Sequence, residues 1–193
     1  MLKRIVDILL SFTALLIFSP VLIFFSILIY FQDFKNPIYK AERVGKDEKP
    51  YKMFKLRSMI VGADQSGVDS TSSNDTRITK IGALVRKYKL DELTQLINVF
   101  KGDMSLVGPR PLLMEYLPLY SKEQYRRHEV KPGVTGWAQV NGRNAISWEN
   151  KFNLDVWYVD NRSLWLDLKV IFLTVKKEFK SLFFFAIQTP SKY

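Results

Sequence analysis

The chain has 193 residues, with 29 Lys and Arg against 19 Asp and Glu, for a formal net charge of +10. That length suits a single domain able to bury a core, and the positive excess favours phosphate-bearing partners: nucleic acid, anionic lipid headgroups or nucleotide substrates. The absence of cysteine excludes disulfides and thiolate metal sites, and the lone His128 excludes a histidine-rich one.

From Ile8 to Gln32 no residue is charged, and most are Leu, Ile, Phe or Val. At about 1.5 Å per residue this stretch is long enough to cross a bilayer, and it is too long for a signal peptide. Ser19-Pro20 stands near its middle, where proline removes a backbone donor and kinks a helix. Lys3 and Arg4 precede the stretch and Lys35, Lys40 and Arg43 follow it, so the positive-inside rule draws both ends to the cytoplasmic face. A kinked helix that enters and leaves through one leaflet satisfies both pulls. On these grounds alone, an ordinary spanning anchor with a tolerated proline remains the alternative. Asp7, three residues after Arg4, is placed to pair with it.

Asn36-Pro37 reads as a turn, Ile38 to Val44 as a short strand and Gly45 to Pro50 as a charged turn. Tyr51 to Met59 alternates apolar and basic residues, and Gly62 to Asp75 is a polar loop. Thr79 caps a helix to about Tyr88, with Ile81, Leu84, Val85 and Tyr88 on one face. A second helix opens near Asp91. It carries the stripe Leu93, Leu96, Ile97 and Phe100, and Gly102 stops it. Pro109, Pro111 and Pro118 leave Asp103 to Arg110 as loop or strand.

Ser121 caps a short basic helix ending before Lys131-Pro132-Gly133, and His128, inside Arg126-Arg127-His128, reads as solvated surface. Val134 to Asn141 reads as a strand ending in a turn at Asn141-Gly142, and Ser147 caps a helix through about Val159. Ser163 to Phe185 is a long amphipathic helix whose aromatics and lysines (Lys169, Lys176, Lys177, Lys180) suit a membrane interface. Core packing serves Leu164 to Leu173 equally well.

Three constellations carry candidate chemistry. Asp91-Glu92 sits on a helix's first turn, where free N–H groups and the helix dipole favour an ionised carboxylate able to bind Mg²⁺ or attack phosphorus. By residue chemistry alone, two acids merely stabilising a helix start outweigh that reading. In Gly108-Pro109-Arg110-Pro111 the prolines restrict the backbone on both sides of Arg110, so less entropy is lost when its guanidinium grips an anion. A surface turn rich in proline is the plain alternative. Lys131 to Arg143 holds three glycines, and Gln139, Asn141 and Arg143 alternate as on one side of a strand, as a nucleotide or sugar-phosphate site would require. A hairpin plugged by Trp137 explains much of the same pattern. No P-loop motif occurs.

Together with Glu42-Arg43-Val44-Gly45, Phe54-Lys55-Leu56-Arg57-Ser58-Met59, Thr76 to Gly82, Leu90-Asp91-Glu92-Leu93 and Lys101 to Pro111, these motifs stand in a specific order from about Lys3 to Lys180. In that order the chain resembles the bacterial sugar transferases, the small monotopic polyprenyl-phosphate phosphoglycosyl transferases. The resemblance implies an α+β, mainly helical monotopic membrane protein with a re-entrant helix broken at Ser19-Pro20, interfacial amphipathic helices and a few short strands. It divides the chain into a membrane helix over 1–34, a cytoplasmic catalytic domain over 35–185 and a tail over 186–193.

It further implies transfer of a phosphosugar from a UDP-sugar to polyprenyl (undecaprenyl) phosphate with release of UMP, on the cytoplasmic face of the bacterial inner membrane. Asp91 matches the family's nucleophile and Glu92 its supporting acid, with Mg²⁺ bound at the two. Lys55, Arg57, Arg86, Arg110, Gln139, Asn141, Arg143 and Asp167 fall in the substrate-binding set. The family often has proline where Thr94 stands, and a small polar residue where Lys89 stands. Leu112 to Tyr120 and Gly142 to Trp148 look like the protein-glycosylation branch that transfers diacetylated trideoxy sugars such as bacillosamine. Another UDP-sugar, feeding capsule, exopolysaccharide or O-antigen synthesis, is the rival reading. A nucleic-acid binder lacks a reading helix or stacking platform, and a scaffold for glycosylation enzymes is the non-enzyme alternative.

Overall fold

The computed structural model describes residues 1–66, 75–142 and 145–188, the side chains of 65–66 and 181–188 excepted. The candidate ligand Arg143, part of the loop expected over Gly62 to Asp75, the side chains of Phe183 to Phe185 and the end of the tail lie outside the described residues. The described residues are mostly helical, with a few short strands.

Helix α1 runs Leu2–Asp33 and strands β1 (Ile38–Val44) and β2 (Pro50–Leu56) pair across the turn at 45–49. Helices α2 (Lys80–Lys87), α3 (Leu90–Leu93) and α4 (Gln95–Lys101) follow, then strand β3 (Ser105–Val107). Helix α5 (Lys122–Tyr125), strand β4 (Gly133–Thr135), α6 (Trp137–Asn141), α7 (Trp148–Asn161) and α8 (Leu164–Gln188) complete the order. The expected punctuation is in place. The side chains of Thr79, Ser121 and Ser147 accept the backbone N–H groups of Gly82, Gln124 and Asn150, and Gly102 ends α4 with φ 100°.

Two expectations change. The segment read as a strand to Asn141 is a strand only over Gly133–Thr135, paired in parallel with β3, and turns helical at Trp137. Its partner ends at Val107, because Pro109 lacks the N–H a longer ladder needs. His128 is buried and not solvated. Its Nδ1 lies 3.1 Å from the Tyr125 carbonyl, and its ring packs on Tyr120 and Tyr125.

The chain forms two compact units. One comprises Arg4–Glu42 and Lys52–Gly102; the other comprises Met1–Lys3, Arg43–Tyr51 and Asp103–Tyr193. In the first, Leu22 and Ile29 of α1 pack with Leu56 and Val85, and each buried side chain of this kind contributes about 1.5–3 kcal/mol. The Arg4 guanidinium donates to the carbonyls of Val99 and Phe100, Phe12 meets Phe100, and the Asp33 carboxylate takes the Arg57 guanidinium. α1 contains Pro20, whose ring leaves the Leu16 carbonyl without its helical donor. The Ser19 hydroxyl donates to that carbonyl at 2.8 Å. Only 11% of the most apolar window of α1 is buried, whereas a core helix would be mostly buried.

In the second unit Val107, Val140, Tyr158, Leu166 and Val170 form the core. One face of α8 supplies Leu166 and Val170. A second row, Trp165, Leu168, Phe172, Val175 and Phe179, recurs at helical spacing and is exposed, Trp165 at 79% and Phe179 at 69%. Core packing and an outward apolar stripe thus coexist on one helix.

Candidate active site

The acidic pair is built in the first unit. Lys89 adopts a left-handed backbone (φ 55°), and this reversal starts α3 with Asp91 and Glu92 on its first turn. Thr94, nearly fully buried, has its hydroxyl 3.0 Å from both the Asp91 and Phe54 carbonyl oxygens, which ties the short helix to β2. Asn98 of α4, completely buried, accepts from Phe54 N–H at 2.9 Å and donates to the Lys52 carbonyl at 2.8 Å. The next residue of β2, Lys55, places its Nζ 3.6 Å from Glu92 Oε1.

Asp91 is buried. Burial raises its carboxyl above the ordinary value; the field of Lys55 opposes the rise, Glu92 adds to it and Arg86 opposes it. The structure therefore brings together Asp91, Glu92, Lys55 and Arg86 from the predicted set. Arg57 is turned to another task, since its guanidinium is bound by Asp33 and lies within reach of the Ile29 and Lys35 carbonyls, which commits it to the end of α1. Among the described residues no group of three His, Cys, Asp or Glu side chains is placed to hold a metal by itself.

The second unit holds Arg110, Gln139, Asn141 and Asp167. Arg110 is exposed on its proline-flanked loop. Gln139 and Asn141 lie on helix α6, so they do not alternate along a strand face as expected. The Gln139 amide is buried with neither its nitrogen nor its oxygen partnered, while Asn141 donates to the Trp137 carbonyl at 2.9 Å. Asp167 accepts Lys3 Nζ and the Tyr158 hydroxyl, each at 2.6 Å, and the Tyr158 oxygen lies 3.1 Å from the Val107 carbonyl, to which Lys3 Nζ donates at 3.2 Å. Those contacts give Asp167 a structural occupation.

Sequence reasoning missed a buried ion pair, Arg127 with Asp155 at 2.7 Å. Arg127 was absorbed into a basic run. The signal available was Asp155 itself, an acid inside the apolar stretch Leu154 to Val159 of α7.

An acidic pair thus opens a short helix in the field of two cations, Lys55 and Arg86, beside a long exposed apolar helix. The family model for bacterial sugar transferases matches residues 1–181, and the chain belongs to that family. It is 60% identical over 140 residues to the uncharacterized sugar transferase EpsL of Bacillus subtilis, covering 72% of this chain and 68% of that protein. It is 41% identical over 192 residues to the UDP-glucose:undecaprenyl-phosphate glucose-1-phosphate transferase of Escherichia coli, covering 93% of this chain and 40% of that protein. It is 38% identical over 145 residues to the UDP-N-acetylgalactosamine-undecaprenyl-phosphate N-acetylgalactosaminephosphotransferase of Aeromonas hydrophila, covering 72% of this chain and 34% of that protein. The chain thus spans well under half the length of the last two.

Proposed function

We propose that this protein transfers a phosphosugar from a UDP-sugar to polyprenyl phosphate at the cytoplasmic face of the bacterial inner membrane. The observation that carries this reading is the Asp91–Glu92 pair on the first turn of α3, in the field of Lys55 and Arg86, within a chain of the sugar transferase family. An Asp91 carboxylate oxygen attacks the sugar-bearing phosphorus of the donor. The bond from that phosphorus to the bridging oxygen breaks, and UMP leaves with the electron pair. An oxygen of polyprenyl phosphate then attacks the same phosphorus and releases the Asp91 carboxylate, giving the polyprenyl diphosphate sugar.

Glu92 assists as a second anionic ligand or proton acceptor, and Arg110 holds a phosphate. The two adjacent carboxylates suit Mg²⁺, which commonly takes one or two carboxylates and completes its shell with substrate phosphates and water. When bound it offsets diphosphate charge. The sugar we favour is a diacetamido-trideoxy one, from the stretches Leu112 to Tyr120 and Gly142 to Trp148; the glucose and N-acetylgalactosamine in the relatives' names make a UMP-release screen across UDP-sugars the deciding measurement.

The re-entrant topology belongs to the same proposal. A helix spanning the bilayer carries one end about 30 Å away through hydrocarbon. Arg4, Phe12, Leu22 and Asp33, taken along nearly the whole of α1, each touch residues of the same compact unit, which favours a helix that stays on one side. The exposed stripe of α8 favours contact with a membrane surface. Cysteines placed at both ends of α1 should label from the cytoplasmic side only; labelling of position 2 from the periplasm would refute the re-entrant path.

The chemistry is tested with Asp91→Asn. Wild-type protein given a donor labelled in the sugar-bearing phosphate should trap the label covalently, and the variant should trap none. Retained UMP release by the variant would remove Asp91 from the nucleophile's role.

A further inference from the structure

The buried Arg127–Asp155 pair takes no part in the reaction as proposed, and its position needs a reason. Both side chains are nearly inaccessible, at 3% and 4% exposure. A buried ion pair is a weak source of net stability, because desolvating two charges offsets most of their attraction, and a packed apolar pair serves a fold as well or better. Arg127 is held firmly nonetheless. One terminal nitrogen donates to the Tyr120 hydroxyl at 3.0 Å, and the guanidinium stands over the rings of Tyr120 and Phe152, 5.6 and 5.2 Å from their centroids. The other terminal nitrogen, which binds Asp155, also donates to the backbone carbonyl of Arg110 at 2.7 Å.

That carbonyl belongs to the loop presenting the exposed Arg110 side chain. Around it the backbone is pinned: Gly108 N–H donates to the Thr135 carbonyl at 2.9 Å, Gly133 N–H to the Pro109 carbonyl at 2.9 Å and Val44 N–H to the Leu112 carbonyl at 3.1 Å. The approach is so close that a Cβ on Gly133 would stand 2.1 Å from Gly108 N, and one on Gly136 would stand 2.1 Å from Gly108 O. Neighbouring backbone supplies those three contacts. At the Arg110 carbonyl the charged side chain of Arg127 does the work.

We propose that Arg127, oriented by Asp155, is the positioning residue for Arg110: it fixes the loop backbone so that the Arg110 guanidinium meets a substrate phosphate pre-oriented. This rests on the phosphate-binding role given to Arg110 above. The pair is retained for geometry, and its cost in stability is the cost of holding one exposed cation in one place.

The test uses the full chain in lipid nanodiscs and the double variant Arg127→Met/Asp155→Leu, which removes both charges and keeps the volume filled. Hydrogen exchange of the Val44 and Gly133 amides, which donate to the Leu112 and Pro109 carbonyls of the loop, should rise about tenfold while the Val85 and Val99 amides stay protected. KM for the UDP-sugar should rise on the order of tenfold, with kcat changed far less. Arg110→Ala added to the double variant should cost less than about twofold more, because Arg127 acts only through Arg110. Unchanged exchange at Val44 and Gly133, or an Arg110→Ala penalty as large as in the wild type, would overturn the proposal. Should the double variant not fold, Arg127→Lys keeps a cation beside Asp155 without the fork that also reaches the Arg110 carbonyl, and the same two readouts decide. A wild-type protein releasing no UMP from any UDP-sugar would sink the proposed reaction separately, and the exchange measurement would still decide for or against Arg127.

Discussion

Lys55 Nζ lies 3.6 Å from Glu92 Oε1, so a cation on β2 faces the second acid of the pair that opens α3. Its field also holds down the neighbouring Asp91 carboxyl, which burial pushes above its ordinary value. In the proposed reaction the Asp91 carboxylate attacks as an anion, so activity should fall on the acid side as Asp91 takes up its proton. Lys55→Met removes the opposing positive potential, and the acid limb of kcat/KM should move to higher pH. A limb that stays in place, or moves to lower pH, would separate Lys55 from the titration of Asp91.

Asn98 joins α4 to β2 through paired hydrogen bonds to the Lys52 carbonyl and the Phe54 amide, and it is completely buried. Asn98→Ala leaves both backbone groups without that partner and opens a small void. We expect a loss of about 2–3 kcal/mol, with a matching fall in the thermal midpoint. A fall of under about half a kilocalorie would mean that water replaces the amide without penalty.

Lys89 holds a left-handed backbone at φ 55°, a region where asparagine and glycine sit with less strain than lysine. Lys89→Asn should therefore stabilise the protein by about 0.5–1 kcal/mol without displacing Asp91. Denaturant midpoints measure the gain. An unchanged or lowered midpoint would show that the lysine side chain offsets the strain through its own contacts.

Burial holds His128 neutral down to about pH 4, against 6.5 for a free imidazole, with Arg127 adding to the shift. The unfolded chain thus binds a proton between those values that the folded chain refuses. Stability from this residue is full above about pH 6.5 and declines as pH falls toward 4. Thermal midpoints recorded from pH 7 to 4.5 should drop for the wild type and drop less for His128→Gln. Parallel curves would rule the imidazole out as the source of the decline.

Local features of the fold were legible because they are encoded within a few residues. Thr79, Ser121 and Ser147 cap helices three positions away, and Gly102 stops α4 where the apolar stripe ends. What escaped was long-range. Nothing near Arg57 in sequence announces Asp33 as its partner 24 residues away, and nothing near Arg127 announces Asp155, 28 residues away. Both arginines were read by charge, as ligands or as surface, whereas tertiary packing spends them on the fold. The strand expected to reach Asn141 failed for a related reason: its length is set by β3, whose ladder stops before Pro109. Asp91-Glu92 was chemically ambiguous by itself. Its order among other motifs pointed to the sugar transferase family, and the match over residues 1–181 bears out that family.

α1 supplies the counter-charges of two buried groups: Lys3 for Asp167, and Asp33 for Arg57. Cutting the helix away to obtain a water-soluble fragment would strand a carboxylate in one unit and a guanidinium in the other. Each loss leaves a buried charge without its counter-ion, against a whole-domain stability of only roughly 5–15 kcal/mol. The remainder would be an incomplete fold rather than a released catalyst. In the membrane placement proposed for α1, lipid takes part in the folding of the polypeptide, and a detergent that fails to shelter this helix acts on the protein as a denaturant.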